Sequence, residues 1–133
     1  MMEEFVQVIR SHPELHKHLF FLEGVSDEFL EQLYAAIVCL IAASEGEGFG
    51  LPLIEAAHHQ LALIARDIPV FREVAGDHAH YFSGADADAL ASAVKAWLLL
   101  HADAKAPDSK NIPYLSWEQS TTALLQHILP TKP

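Results

Sequence analysis

The amino-acid sequence predicts an α/β fold built on a mostly parallel sheet. Short apolar runs alternate with segments of helical spacing along the chain. One run, Ile37–Ala43, is continuously apolar with β-branched members. That is the pattern of a parallel strand covered on both faces. A glycine-rich loop, Ser44–Gly50, then leads directly into a helix opening Leu51-Pro52. In an open α/β sheet, ligands bind at such strand ends.

The elements follow in order. Glu3–Arg10 has the spacing of a short helix, ended near Ser11-His12-Pro13. Leu19–Leu22 is a brief strand candidate closed by Glu23-Gly24. Ser26 caps the next helix, and Asp27 and Glu28 suit the positive end of its dipole. Phe29, Leu30, Leu33, Tyr34 and Ile37 recur at helical spacing. Leu51–His59 is the helix after the loop, with Pro52 in its first turn, where a missing N–H costs nothing. Leu61–Ala65 is the next strand. Val70–Ala75 is a short helical turn closed by Gly76, and His80–Phe82 a short strand. Ala87–Leu100 is a long helix with Leu90, Val94, Trp97 and Leu98 on one face. Ala102–Pro113, with Pro107, Asp108, Ser109 and Pro113, reads as a loop. Ser116 caps a last helix, Trp117–Leu129. Trp97, Trp117, Leu124, Leu125 and Ile128 are core candidates.

Composition narrows the function. The chain has 133 residues, the size of one domain. Acidic residues number 18 against 8 basic, a net charge of −10, which argues against nucleic acid and against an anionic membrane surface as partner. The single cysteine, Cys39, lies inside an apolar run and reads as a small buried hydrophobe. No stretch has the apolar length of a membrane span, and the acidic opening Met1-Met2-Glu3-Glu4 is not that of a signal peptide. A cytoplasmic location is the expectation.

The chemistry concentrates at Gly46-Glu47-Gly48-Phe49-Gly50. Glycines let a backbone approach a ligand, and the N–H groups of a helix start favour an anion such as phosphate. The spacing is neither GxGxxG nor a P-loop, so the glycines alone leave phosphate binding and a structural tight turn both open. Seven residues separate Glu47 in the loop from Glu55 in the helix. Carboxylates accept hydrogen bonds from hydroxyls, and the pair flanking an N–H-rich loop suits a sugar–phosphate–ribose ligand. By itself, Glu55 also fits a solvated helix residue.

SEGEGFGLPLIEAA, Ser44–Ala57, closely resembles the donor-site signature of retaining glycosyltransferases with the GT-B fold. Phe21–Glu28 with Leu33-Tyr34, Ile64–Asp77 and Ser116–Ser120 are similar to the flanking segments of that family, most of all in bacterial O-antigen mannosyltransferases. The likeness covers about residues 19–129. It implies a Rossmann-like, partial C-terminal lobe of a GT-B enzyme, spanning residues 1–133 as a single partial domain. The lobe's first two strands and the acceptor lobe are then absent, and because the family's last helix crosses back toward that other lobe, exposure of part of its apolar face is the alternative expectation to core. Leu19–Leu22, left without its family neighbours, is expected either to pair with Ile37–Ala43 or to leave edges for association.

The resemblance also implies roles. Glu47, the catalytic candidate, lies near donor-sugar hydroxyls. The backbone at Gly48, Phe49, Gly50 and Leu51 holds sugar and distal phosphate. Glu55 takes the ribose hydroxyls, and Gly24-Val25 lies against the base. The implied donor is a nucleotide diphosphate sugar, GDP-mannose first, with no cofactor and no metal. The implied acceptor is a glycan or lipid-linked glycan, transfer retains the anomeric configuration, and the full enzyme works in the cytoplasm or peripherally at the inner membrane. No nucleic acid is implied, and a homo-oligomer through the sheet edge or the C-terminal helix is a possible assembly. A non-catalytic nucleotide-binding module and a flavodoxin-like domain sharing only the glycine turn are the competing expectations.

Departures from the family matter. The pattern EAxxxGxP has Gln60 and Ala62 at its glycine and proline positions. The Arg and Lys that grip the diphosphate in the family belong to the absent strands, and Arg66 and Arg72 do not simply replace them. Arg72 reads first as a structural ion pair. Nine histidines, among them His12/His16/His18, His58/His59 and His78/His80, have no completing cysteine or carboxylate for a recognisable metal set. His58 and His59 suit a helix C-terminus.

Overall fold

Three parallel strands organise most of the chain. The structure is a computed structural model that describes residues 2–129. The strands are β1 (Cys39–Ala42), β2 (Ala62–Arg66) and β3 (His80–Phe82), in that spatial order. Cys39 pairs with Ala62 and Ala42 with Ala65, then Ile64 with His80 and Arg66 with Phe82. Two compact units divide between Leu33 and Tyr34, and the sheet belongs to the second.

Strand side chains alternate between faces, so β2 feeds two layers. Ile64 packs with Phe82 of β3 and with Ala93 and Trp97 of α5 (Ala87–Ala102), with Leu90 and Val94 beside them. Leu63 and Ala65, both fully buried, face the other side. There α3 (Leu51–His58) packs on β1 and β2 and presents Leu53, Ala56 and Ala57, an i, i+3, i+4 stripe. α4 (Pro69–Ala75) packs against α3 and buries Phe71 and Ala75. Each fully buried large side chain contributes about 1.5–3 kcal/mol. A 3₁₀ turn, Ser109–Asn111, rests on α3, and the buried Ser109 hydroxyl donates to the Leu61 carbonyl at 2.5 Å.

The first unit contains α1 (Met2–Arg10) and a turn in which Leu15 bridges Leu19. Arg10 pairs with Glu23 at 2.8 Å. α2 (Asp27–Ala36) starts at Ser26, whose hydroxyl accepts from Phe29 N–H at 3.3 Å. That cap was expected from the sequence. Ser116 likewise caps α6 (Trp117–Ile128), with Gln119 completing a reciprocal capping box.

Three expectations fail. Leu19–Leu22 is not a strand: Phe20 and Leu22 are exposed, and a single bridge to Leu15 replaces a ladder. It therefore does not pair with Ile37–Ala43, and the ladder partner of β1 is β2. A parallel strand needs a neighbour to take its backbone groups, and local apolar sequence cannot supply one. Trp117, Leu124, Leu125 and Ile128 are exposed rather than core, Trp117 at 85 %. Helical periodicity identifies an apolar face but not what covers it. Leu98 is exposed as well, because one residue past buried Trp97 turns about 100° away from the sheet.

The turn from α3 to β2 explains one departure. Leu61 N–H donates to Ala56 O at 2.9 Å and Gln60 N–H to Ala57 O at 3.0 Å. These are the two bonds of a Schellman closure, and Gln60 takes φ 57° at its left-handed position. The family pattern places glycine there. The geometry is kept while the residue suited to it is not. Left-handed geometry costs a non-glycine roughly 1–2 kcal/mol, partly offset by the roughly 0.5–1 kcal/mol of chain entropy that glycine loses. Gln60→Gly is therefore expected to stabilise the fold by about 0.5–1 kcal/mol in urea unfolding. A destabilised Gln60→Gly would show the position is not strained.

Cys39 is half-buried under the α5 layer. Burial pushes its thiol up to about 11, and a backbone hydrogen bond at Ile64 only partly opposes this. The thiol stays protonated at neutral pH, and the fold loses stability as pH rises from the ordinary thiol range through that value. Iodoacetamide at pH 8 should alkylate Cys39 on the order of a hundredfold more slowly than a free cysteine. Alkylation at the free-cysteine rate would contradict the burial.

Candidate functional site at the carboxyl end of the sheet

β1 ends at Ala42, and the loop 43–50 carries the chain from its carboxyl end to α3. Gly50 is the N-cap of α3, in the left-handed region at φ 84°, with no side chain capping the helix. A Cβ on Gly50 would lie 3.2 Å from the ring of buried Phe71. Both conformation and space therefore demand glycine. Gly46 and Gly48 differ: a Cβ there would meet nothing within 4 Å. Neither space nor a left-handed dihedral requires glycine at these two positions.

Glu47 is exposed in this loop and accepts a hydrogen bond from the Ser44 hydroxyl at 2.7 Å. Phe49 and Leu51 are exposed, at 60 % and 52 %. They line a pocket of about 300 Å³ with Ile54, Glu55, Tyr114, Leu115, Trp117 and Ser120. Glu55, on the fifth position of α3, is exposed, and its Oε2 receives the Tyr34 hydroxyl at 2.8 Å. The Tyr34 ring stacks on His59, centroids 5.0 Å apart and planes 19° apart. His58 Nδ1 lies 3.1 Å from the hydroxyl of Tyr114, one of the pocket's lining residues.

Phe49, Leu51 and Glu55 thus meet at one pocket, with Glu47, Gly48 and Gly50 in the loop that leads to it. Gly24 and Val25 lie in the first unit, Gly24 in a left-handed turn at φ 63° and Val25 exposed. Sequence patterns missed Tyr34 and Tyr114. Tyr34 sits in a helical apolar stripe and looks like core, and only the hydroxyl distinguishes it from phenylalanine.

The nearby cations are committed to the scaffold. Arg66 donates from Nε to Ala43 O at 3.0 Å and from its terminal nitrogen to Gly84 O, with its guanidinium 5.0 Å over the Phe82 ring. Arg72 grips Asp67 through two bonds of 2.7 and 2.8 Å and lies 3.6 Å over the Tyr81 ring. Hydrogen bonding from Arg72 holds the Asp67 carboxyl below its ordinary value, so this clamp is lost as pH falls through that lowered value. Among the described residues, no group of three His, Cys, Asp or Glu is placed to hold a metal ion. Nor is any described helix long and apolar enough to cross a membrane.

The sequence profile described as "Glycosyl transferases group 1" matches residues 2–111. The chain belongs to this family. The match runs far beyond the glycine turn, which removes the flavodoxin-like alternative. The chain is 50% identical over 127 residues, 96% of its length, to the serotype-specific mannosyltransferase WbdA of Escherichia coli. It is 40% identical over 82 residues, 62% of its length, to the O-antigen chain mannosyltransferase RfbU of Salmonella typhimurium. It spans only 16% and 23% of these two relatives. Among solved structures, sucrose-phosphate synthase from Thermosynechococcus elongatus superimposes with a TM-score of 0.63 at 27% identity, covering 83% of this chain and 27% of that one. The Rossmann-like α/β architecture of this glycosyltransferase domain is therefore that of a GT-B fold neighbour.

Gly50 is a position at which this group 1 domain tolerates a side chain poorly. Gly50→Ala should destabilise it by about 1–2 kcal/mol, the left-handed cost, with the Phe71 contact adding to it. Gly48→Ala is the control, expected within about 0.5 kcal/mol of the parent in denaturant unfolding. Equal effects at both positions would refute the distinction.

Proposed function

We propose that this domain binds the donor of a hexosyl transfer, a nucleotide diphosphate sugar with GDP-mannose as first choice. The observation that supports this most is the uncapped start of α3 set between two exposed carboxylates, Glu47 and Glu55. Backbone N–H groups at that start suit the diphosphate. Glu47 takes donor-sugar hydroxyls, and Glu55 takes those of the ribose. Gly48, Phe49, Gly50 and Leu51 supply the backbone against which sugar and distal phosphate rest. For the base, Gly24 and Val25 are candidates by the family resemblance alone.

Transfer retains configuration at the anomeric carbon. The bond from that carbon to the phosphate oxygen breaks, and a bond to the acceptor hydroxyl oxygen forms on the same face. The departing phosphate takes the acceptor's proton, and the nucleoside diphosphate leaves. The acceptor is a growing O-antigen or lipid-linked glycan, met in the cytoplasm or at the inner face of the membrane. Its similarity to WbdA and RfbU supports mannose as the sugar. No cofactor and no metal takes part. One helix terminus contributes about 0.3–1 kcal/mol to holding an anion, so residues outside the pocket supply most of the diphosphate affinity.

The test is calorimetric titration of the intact gene product with GDP-mannose, UDP-glucose and UDP-galactose. GDP-mannose should bind preferentially, and Glu55→Ala should weaken it at least tenfold, about 1.4 kcal/mol. Binding of no nucleotide sugar, or parent-like affinity in Glu55→Ala, would overturn the proposal.

A further inference from the structure

Glu55 has an unusual partner for an exposed helical carboxylate. Among the described residues no cation pairs with it. It receives a phenol, the Tyr34 hydroxyl at 2.8 Å, from a ring only 8 % exposed. We infer that Tyr34 is a positioning residue, whose hydroxyl holds the Glu55 carboxylate in the orientation that receives a vicinal diol. This inference rests on the ribose role proposed for Glu55.

Three features support it. Tyr34 is held by its ring: it is buried, and it stacks on His59 at 5.0 Å and 19°. A phenol fixed in this way has little freedom to move its oxygen. Glu55 and His59 are four residues apart, so one helical face carries both the carboxylate and the ring under the tyrosine. Tyr34 is thereby referenced to the same helix that presents Glu55.

The acceptor arithmetic also fits. A carboxylate offers about four lone-pair positions on two oxygens. Tyr34 occupies one on Oε2. Oε1 and the remaining position stay available for two hydroxyl donors, which is what a ribose 2′,3′-diol presents. A neutral donor leaves the carboxylate its full charge, and hydrogen bonds to an ionised acceptor are the stronger kind. An arginine in the same place would compete for both oxygens. A long exposed glutamate otherwise loses rotamer freedom when it binds, and the tyrosine removes that loss in advance.

The alternative is that Tyr34 only satisfies its own buried hydroxyl. Tyr34→Phe separates the two, because the ring and its stack on His59 remain. The intact gene product is titrated with GDP and with 2′,3′-dideoxy-GDP, and melting is followed alongside. Tyr34→Phe should lose about fivefold in GDP affinity, about 1 kcal/mol. It should lose nothing for the dideoxy compound, and Tyr34→Phe should cause no further loss in a Glu55→Ala background. Unchanged GDP affinity, or equal losses on both compounds, would overturn the positioning role. Parent-like GDP affinity in Glu55→Ala alone would instead overturn the ribose assignment, without reference to Tyr34.

Discussion

The site depends on the contact between Gly50 and Phe71. The left-handed turn at Gly50 fixes where α3 begins, and the Phe71 ring lies 3.2 Å from where any side chain would start. Phe71 is itself held. The Tyr81 hydroxyl, 3.1 Å from the Phe71 carbonyl and 2.8 Å from that of Gly76, ties α4 to β3. Arg72 covers the Tyr81 ring and grips Asp67, whose N–H donates to Phe82 O at 2.7 Å. The start of α3 is thus set by a chain of contacts running back into the sheet. A loop of exposed, glycine-rich backbone can be ordered because the wall behind it is rigid.

Much of this was legible in the sequence because the signals are local. β-branched apolar runs gave β1 and β2 to within two residues at either end. Ser26 and Ser116 announced helix starts that the structure realises with side-chain bonds. The segment Ser44–Ala57 and its flanks resembled the family to which the profile match then assigned the chain. What failed was non-local. Whether Leu19–Leu22 becomes a strand depends on a neighbouring backbone, and whether Leu124 or Trp117 is buried depends on what lies against α6. Neither is encoded within the segment. Tyr34 was hidden for a different reason. Its periodicity is that of core, and the role inferred for it rests on one oxygen atom meeting a residue 21 positions away.

The departures from the family pattern separate what the backbone requires from what a side chain requires. At Gln60 the backbone keeps the left-handed closure, with both of its hydrogen bonds, although glycine is gone. At Gly50 the same kind of dihedral is combined with a filled space, and glycine remains. Dihedral strain of a kilocalorie or two is tolerable at an exposed turn, since packed layers elsewhere offset it. Strain plus steric overlap at the entrance to the site is not equivalent, because relieving it would move α3.

The net charge of −10 acquires a structural meaning from the two arginines. Arg66 spends its donors on the carbonyls of Ala43 and Gly84, at the ends of β1 and β3. Arg72 spends its own on Asp67. Both lie near the carboxyl ends of the strands, where an anion would approach, and both serve to hold loops rather than ligand. In the proposed donor complex, local attraction for a diphosphate comes from backbone dipoles, which do not change with pH and carry no counter-charge to be satisfied when the site is empty. Such a site gives direction more than affinity. On the proposed reading it orients a phosphate against α3 while the carboxylates on either side select for hydroxyls. That reading concentrates selectivity in Glu47 and Glu55, and makes the accuracy of their placement matter more than their number. The Tyr34 phenol, buried behind Glu55, is the device we infer for that accuracy.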